Sequence, residues 1–237
     1  MAEAVTDATA KPGPADLIEI FYAPGEVFAR RQQGQFGLPY LVLVGLGVVL
    51  FFATRNLMQP VIDAEISRSM AQAAARGNMT PDQLAKAESF GKTIASVGLI
   101  VFWIVAPFLI GLLAWIGGKI AKVPNIGSVA IMIAVFSMFP RLVGSVVGAI
   151  LAALLPESSL NSAASVSLSP ARFVDVAQHP GLAALLGRFD VFILWGVVLL
   201  AIGAQVAGRG TRKQGWTTAI IVWVIGSLPA IWGALRA

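Results

Sequence analysis

Few residues in this chain are equipped for chemistry. There is no cysteine, which removes disulfides, iron–sulfur clusters and thiolate nucleophiles. The single histidine, His179, stands before Pro180 with no nucleophile motif beside it, and it reads as a loop residue rather than a catalytic one. One imidazole and no thiolate leave no ligand set for a transition metal. No carboxylate pair suggests acid–base work. The expectation is no catalytic residue, no metal and no cofactor. What remains is charge at the edges of apolar sequence, where Arg141 and Asp190 stand out. An arginine at the centre of a bilayer costs about 2.5–3.5 kcal/mol, so it must face protein, water or headgroups. The two residues can be read as an intramembrane charge pair lining a polar pathway. They can also be read separately, Arg141 snorkelling to the headgroups and Asp190 capping a helix. The second reading is preferred, because neither residue has to lie deep.

The elements that must hold these residues are set by solvent. Hydrophobic residues make up 57% of the 237 and charged residues 12%, with a mean hydropathy of +0.80. Soluble domains carry about 25% charged residues, so half that proportion places the chain in lipid. Net charge is +5 and the pI about 10.0. The Lys and Arg residues sit in loops and beside apolar runs, without the clustered basic and aromatic pattern of a nucleic-acid surface. Anionic headgroups are the expected counter-charge, and nucleic acid is not an expected partner.

The spacing predicts an all-α fold, a polytopic transmembrane helical bundle of about five spans with amphipathic interfacial segments. Residues 1–13 are expected to be a disordered tail and 14–236 one membrane domain. From Pro14 to Gln32 apolar residues alternate with charge. Pro24 marks a short helix, and Arg30 and Arg31 are expected to face phosphates. Spans are expected at 38–54, 93–118, 126–155, 189–208 and 216–235. Arg55 should close the first, followed by a separate short amphipathic helix near Val61–Met70. Thr80-Pro81-Asp82-Gln83 has the form of a helix start, and Pro107 should kink the second span. The third stretch is too long for one straight crossing, since thirty helical residues extend about 45 Å against a hydrocarbon core of about 30 Å. It should break near Pro140. Trp216 and Trp232 are placed as interfacial anchors of the last span.

Orientation rests on the density of charge. Counts of Lys and Arg on alternate sides of five spans tie, but the turns at 119–122 and 209–213 pack theirs tightly. Short basic loops stay in the cytoplasm, which predicts a cytoplasmic N-terminus. Pro140, Gly144, Gly148 and Ala152 place small residues on one helical face, a candidate for close helix packing within the molecule or against a second copy.

Two stretches resemble a known family. FYAPGEVF at 21–28, with Pro24 and Phe28, is similar to the entry into the first span of bacterial Yip1-domain proteins. FDVFILWGVVLLAIGAQVAGRGTRKQGWTTAIIVWVI at 189–225, with Asp190, Phe192, Trp195, Leu199 and Gly203, resembles that family's last two spans, and Pro140 its third-span proline. The resemblance implies a multi-pass protein of the bacterial cytoplasmic membrane, non-enzymatic, acting in membrane organisation. Its contacts would be with lipid, a membrane-protein partner or itself. The D-L-Y-G-P motif of the eukaryotic branch is absent, so a Rab-type GTPase is not an expected partner. A small transporter or channel is the alternative, with Arg141, Gln205 and a few hydroxyls as its polar groups.

Overall fold

The computed structural model describes residues 12–76 and 81–236. They are mostly helical, with no strand among them. Two short helices come first, α1 (Asp16–Glu19) and α2 (Pro24–Arg30), the latter opening on a proline whose fixed φ suits a first helical position. Two 40-residue helices follow, α3 (Gly37–Arg76) and α4 (Pro81–Ile120). After them come α5 (Ile126–Ser137), α6 (Phe139–Leu154), α7 (Pro180–Leu186), α8 (Val191–Val206) and α9 (Arg212–Arg236). Short 3-10 turns punctuate the stretch between α6 and α8.

Four helical stretches are long and apolar enough to cross a membrane: Gly37–Ala71, Val97–Ile120, Ile126–Leu154 and Arg212–Leu235. A fifth crossing is made if α7 and α8, bent by 48° at their junction, are one span. The chain is thus a helical membrane protein of four to five spans.

The first helix departs from expectation. Arg55 was to close it, and a separate helix was to form near Val61–Met70; instead α3 runs unbroken to Arg76. At about 1.5 Å per residue, α3 and α4 each extend about 60 Å, twice the hydrocarbon thickness. A charge ends a hydrophobic span, but it does not end a helix. The residues after Arg55, rich in Ala, Gln, Met and Arg, are good helix formers. α4 opens at Pro81 as expected; Thr80, its proposed cap, lies outside the described residues. Pro107 lies within α4 without ending it. The expected break near Pro140 is a single residue, Met138, between α5 and α6. It comes two residues before the proline.

By contacts the chain divides into two compact units. The first comprises Met1–Gly45, Val105–Arg141 and Ile193–Ser227, and α5 is its centre. Met132, Ile133, Ala134, Val135 and Phe136 are fully buried. A helix apolar on every side has no face for water, and protein rather than lipid covers this one. In the Ile126–Leu154 stretch 72% of the most apolar window is buried, against 17–28% in the other three.

The second unit comprises Leu46–Ile104, Leu142–Phe192 and Leu228–Ala237. Its core joins Val61 of α3 to Ala152, Leu160 and Val166. Glu65 accepts from the Ala163 N–H at 2.9 Å, and Arg68 donates to the Asn161 carbonyl. The polar segment after α6 is thereby tied to the extension of α3.

Candidate functional site

Buried charge and ring-to-ring contacts concentrate in the first unit, where α1 and α2 form a strap. Asp16 is 1% exposed and Arg31 3%. Asp16 receives both arginines of α2. Its Oδ1 accepts from Arg30 at 2.6 and 3.0 Å, and its Oδ2 accepts from Arg31 Nε at 2.6 Å. Arg30 also donates to Glu19. Burial disfavours the Arg30 cation, but its hydrogen bonds to Asp16 and Glu19 and their charges outweigh this, and its pKa lies above the usual arginine value. Arg31 donates onward to the carbonyls of Gln35 at 2.8 Å and Gly13 at 3.3 Å. Its guanidinium stands 5.2 Å from the centroid of the Phe136 ring. Arg30 and Arg31 were expected to face phosphates. They clasp the strap instead, because buried carboxylates and a ring face hold a guanidinium where a solvated position would leave Asp16 unpaired.

Beneath the clasp the strap sits on aromatic rings. Phe21 meets Trp195 of α8 edge-on at 5.5 Å and Phe139 of α6 at 6.5 Å. Phe28, fully buried, meets Phe136 of α5 at 6.0 Å. Phe28 also fills the notch at Gly203: a Cβ there would lie 2.7 Å from the Ile133 side chain and 3.1 Å from the Phe28 ring. Gly34 ends the strap at φ +81°, and a Cβ on it would lie 2.0 Å from the Ser128 carbonyl oxygen. Only glycine fits there.

The remaining residues singled out from the sequence fall as follows. Pro24 opens α2, and Leu199 is buried in α8. Pro140 is buried in the first turn of α6. Asp190 caps α8, its Oδ1 accepting from Phe192 N–H at 2.9 Å and its Oδ2 from Leu168 N–H at 3.0 Å. Asp190 belongs to the second unit and Arg141 to the first. Within the second unit a Cβ on Gly144 would meet the Phe192 ring at 2.8 Å, and one on Gly148 the Val166 carbonyl at 3.4 Å. Ala152 lies in the apolar core. Among the described residues no group of three His, Cys, Asp or Glu is placed to hold a metal.

Phe28, Trp195 and Gly203 thus serve one junction, strap against bundle, and Pro24 opens the helix that carries Phe28. The Yip1 domain pattern matches residues 18–233, nearly the whole described chain. The chain belongs to the Yip1-domain family. In this Yip1 domain the family residues of the first unit meet as side-chain packing, a ring in a glycine notch and a tryptophan against a phenylalanine, while Asp190 of the second unit caps a helix. The chain is similar to "Membrane protein YknW" of Bacillus subtilis (strain 168), with 24% identity over 223 residues, 92% of this chain and 88% of the relative. No solved structure matches.

Asp16 carries no signal in sequence, because its partners lie 14 and 15 residues away across a turn. Another missed hub is Asn125, whose Nδ2 donates to the carbonyls of Gln32 at 3.1 Å and Ala207 at 3.2 Å. One missed feature was legible. Thr211-x-x-Gln214 is a capping box, with Thr211 N–H on Gln214 Oε1 at 2.8 Å and Gln214 N–H on Thr211 Oγ1 at 3.3 Å.

Proposed function

We propose that this Yip1-domain protein organises the bacterial cytoplasmic membrane without catalysing a reaction, through contacts with lipid, with a membrane-protein partner or with a second copy. The observation that carries the reading is the Asp16–Arg30–Arg31 clasp. Asp16 and Arg31, the most buried charged residues among those described, are spent on closing the strap on itself, and Arg31 lays its guanidinium over the Phe136 ring of the bundle, which is the work of a scaffold. Its N-terminus faces the cytoplasm, a reading supported by the density of cations in the α4–α5 and α8–α9 turns.

Two measurements test this. Tagged protein is purified in mild detergent after cross-linking in cells, and the stoichiometry of what remains bound is determined. A partner or second copy at fixed ratio is expected. Solute flux in proteoliposomes above empty vesicles would overturn the scaffold reading in favour of transport. For orientation, an alkaline phosphatase fused after Ala237 reports the opposite side of the membrane if the crossings number five. A silent fusion with an active cytoplasmic reporter at that end means an even number of crossings.

A further inference from the structure

Two helix junctions in the first unit carry five cations: Lys119 in the last turn of α4 and Lys122 after it, and Arg209 after α8 with Arg212 and Lys213 opening α9. All five are exposed, and none makes an ion pair among the described residues. Their own stretches of chain supply no counter-charge. No Asp or Glu occurs between Glu88 and Glu157, nor after Asp190. In this unit Asp16 and Glu19 are committed to Arg30, and Glu26 lies 4.0 Å from the same arginine.

The turns are bound into one surface. Asn125 N–H donates to the Gly208 carbonyl at 2.9 Å, and Gln214 Nε2 donates to the Lys122 carbonyl at 2.9 Å. Arg209 Nε reaches Gln32 Oε1 at 3.2 Å, which orients its guanidinium. The surface sits where membrane-spanning helices end. Ile120, 63% exposed, closes the Val97–Ile120 span, and Trp216, 39% exposed, lies one turn into the last. An exposed indole and an exposed isoleucine beside five cations mark headgroup depth.

The backbone adds an independent observation. Lys122 and Arg209 are the two non-glycine residues with positive φ among those described, at 61° and 55°. Each occupies the left-handed position that follows a helix, where glycine is favoured because a Cβ is strained there. Lys122 completes a Schellman turn, with Val123 N–H on the Gly118 carbonyl at 2.8 Å and Lys122 N–H on the Lys119 carbonyl at 3.1 Å. Arg209 closes a wider version, with Gly210 N–H on the Ala204 carbonyl at 3.3 Å. Glycines flank Arg209 on both sides, yet the left-handed position itself holds a cation. Backbone strain kept at two matched positions points to a use for the side chains.

We infer that this surface binds the phosphodiester headgroups of acidic phospholipids in the adjoining leaflet. Unpaired cations at headgroup depth, oriented by backbone and side-chain hydrogen bonds, match clustered anionic phosphates. A zwitterionic headgroup brings its own cation and offers no net attraction. The inference deepens the lipid-contact part of the proposed function, and flux in proteoliposomes would remove that function while leaving this surface untouched.

The test uses the full chain and the double variant Lys122→Gly, Arg209→Gly. In neutral detergent without added lipid the variant is expected to melt above wild type, by roughly 2–4 °C, because glycine relieves both strained positions. Phosphatidylglycerol should raise the wild-type midpoint in a salt-sensitive way. The variant's apparent affinity for that lipid should be weaker, on the order of thirtyfold for two cations removed. Where the variant melts above wild type, misfolding cannot produce that loss. Equal responses of the two proteins to phosphatidylglycerol would overturn the inference, as would an equal response of wild type to phosphatidylcholine. Soluble glycerol phosphate giving the full shift would assign a free-phosphate site instead. A variant that melts below wild type would show that the cations serve the helix ends themselves.

Discussion

Seven described cations of the first unit lie in its strap, in its turns or at the ends of its spans and look alike in sequence, but they divide into two kinds. Arg30 and Arg31 are buried on Asp16 and Glu19, whereas Lys119, Lys122, Arg209, Arg212 and Lys213 stand in water or headgroups. The first pair is bidentate or stacked on a ring, geometry that only a guanidinium supplies. The second group is held by its backbone, with side chains outward. Counting basic residues near a membrane therefore overstates what faces lipid, because some of the charge has been neutralised inside.

The comparison is broken most directly at Asp16. Asp16→Ala leaves two buried guanidinium groups without their shared carboxylate, and the expected loss is roughly 3–5 kcal/mol of unfolding free energy. Arg31→Lys should recover little of what Arg31→Ala loses, since an ammonium cannot reach Asp16, Gln35 and Gly13 together. If thermal midpoints of Asp16→Ala and wild type coincide, the clasp is not holding the strap.

Gly203→Leu tests the floor beneath the clasp. The added side chain drives into Ile133 and Phe28, for a loss of about 1–3 kcal/mol or more. Tryptophan fluorescence should report the displaced strap through Trp195, which packs on Phe21. A lowered midpoint with unaltered emission would mean that the bundle absorbs the leucine without moving the strap.

Asp190 offers a third kind of charge, at a helix start. Asp190→Ala should cost about 1 kcal/mol through loss of the cap on Phe192 N–H. Asp190→Asn keeps one capping oxygen but sets an amide NH2 against the Leu168 N–H, and should recover only part of it. An asparagine as good as wild type would mean that the bond from Leu168 contributes nothing. The smallest effect belongs to the exposed group. Lys119→Ala should alter stability in neutral detergent by no more than about 0.5 kcal/mol. A larger loss would mean that the two kinds of cation are not distinct.

The spans were legible because hydropathy reads the solvent around each residue, and Asp190 because a capping residue acts within its own turn. The extension of α3 was not, since the end of an apolar run at Arg55 says nothing about helix continuation. Arg30 and Arg31 were misread for a related reason. Their charge is local information, while their burial depends on Asp16, Gln35 and Phe136, which the chain brings from elsewhere. The pairing of Phe28 with Gly203 has the same character: each is an ordinary residue in its own segment, and only the fold brings them together.

The strap also carries an order of events. Asp16 and its arginines lie within one short stretch of chain, so the clasp can close once that stretch has left the ribosome. Its floor comes much later, because Phe136 and Trp195 are synthesised long after Phe21 and Phe28. At about 5–20 residues per second, the ribosome takes on the order of ten seconds or more to travel from Phe21 to Trp195. Until Phe136 and Trp195 have been made, Phe21 and Phe28 have no floor to dock on.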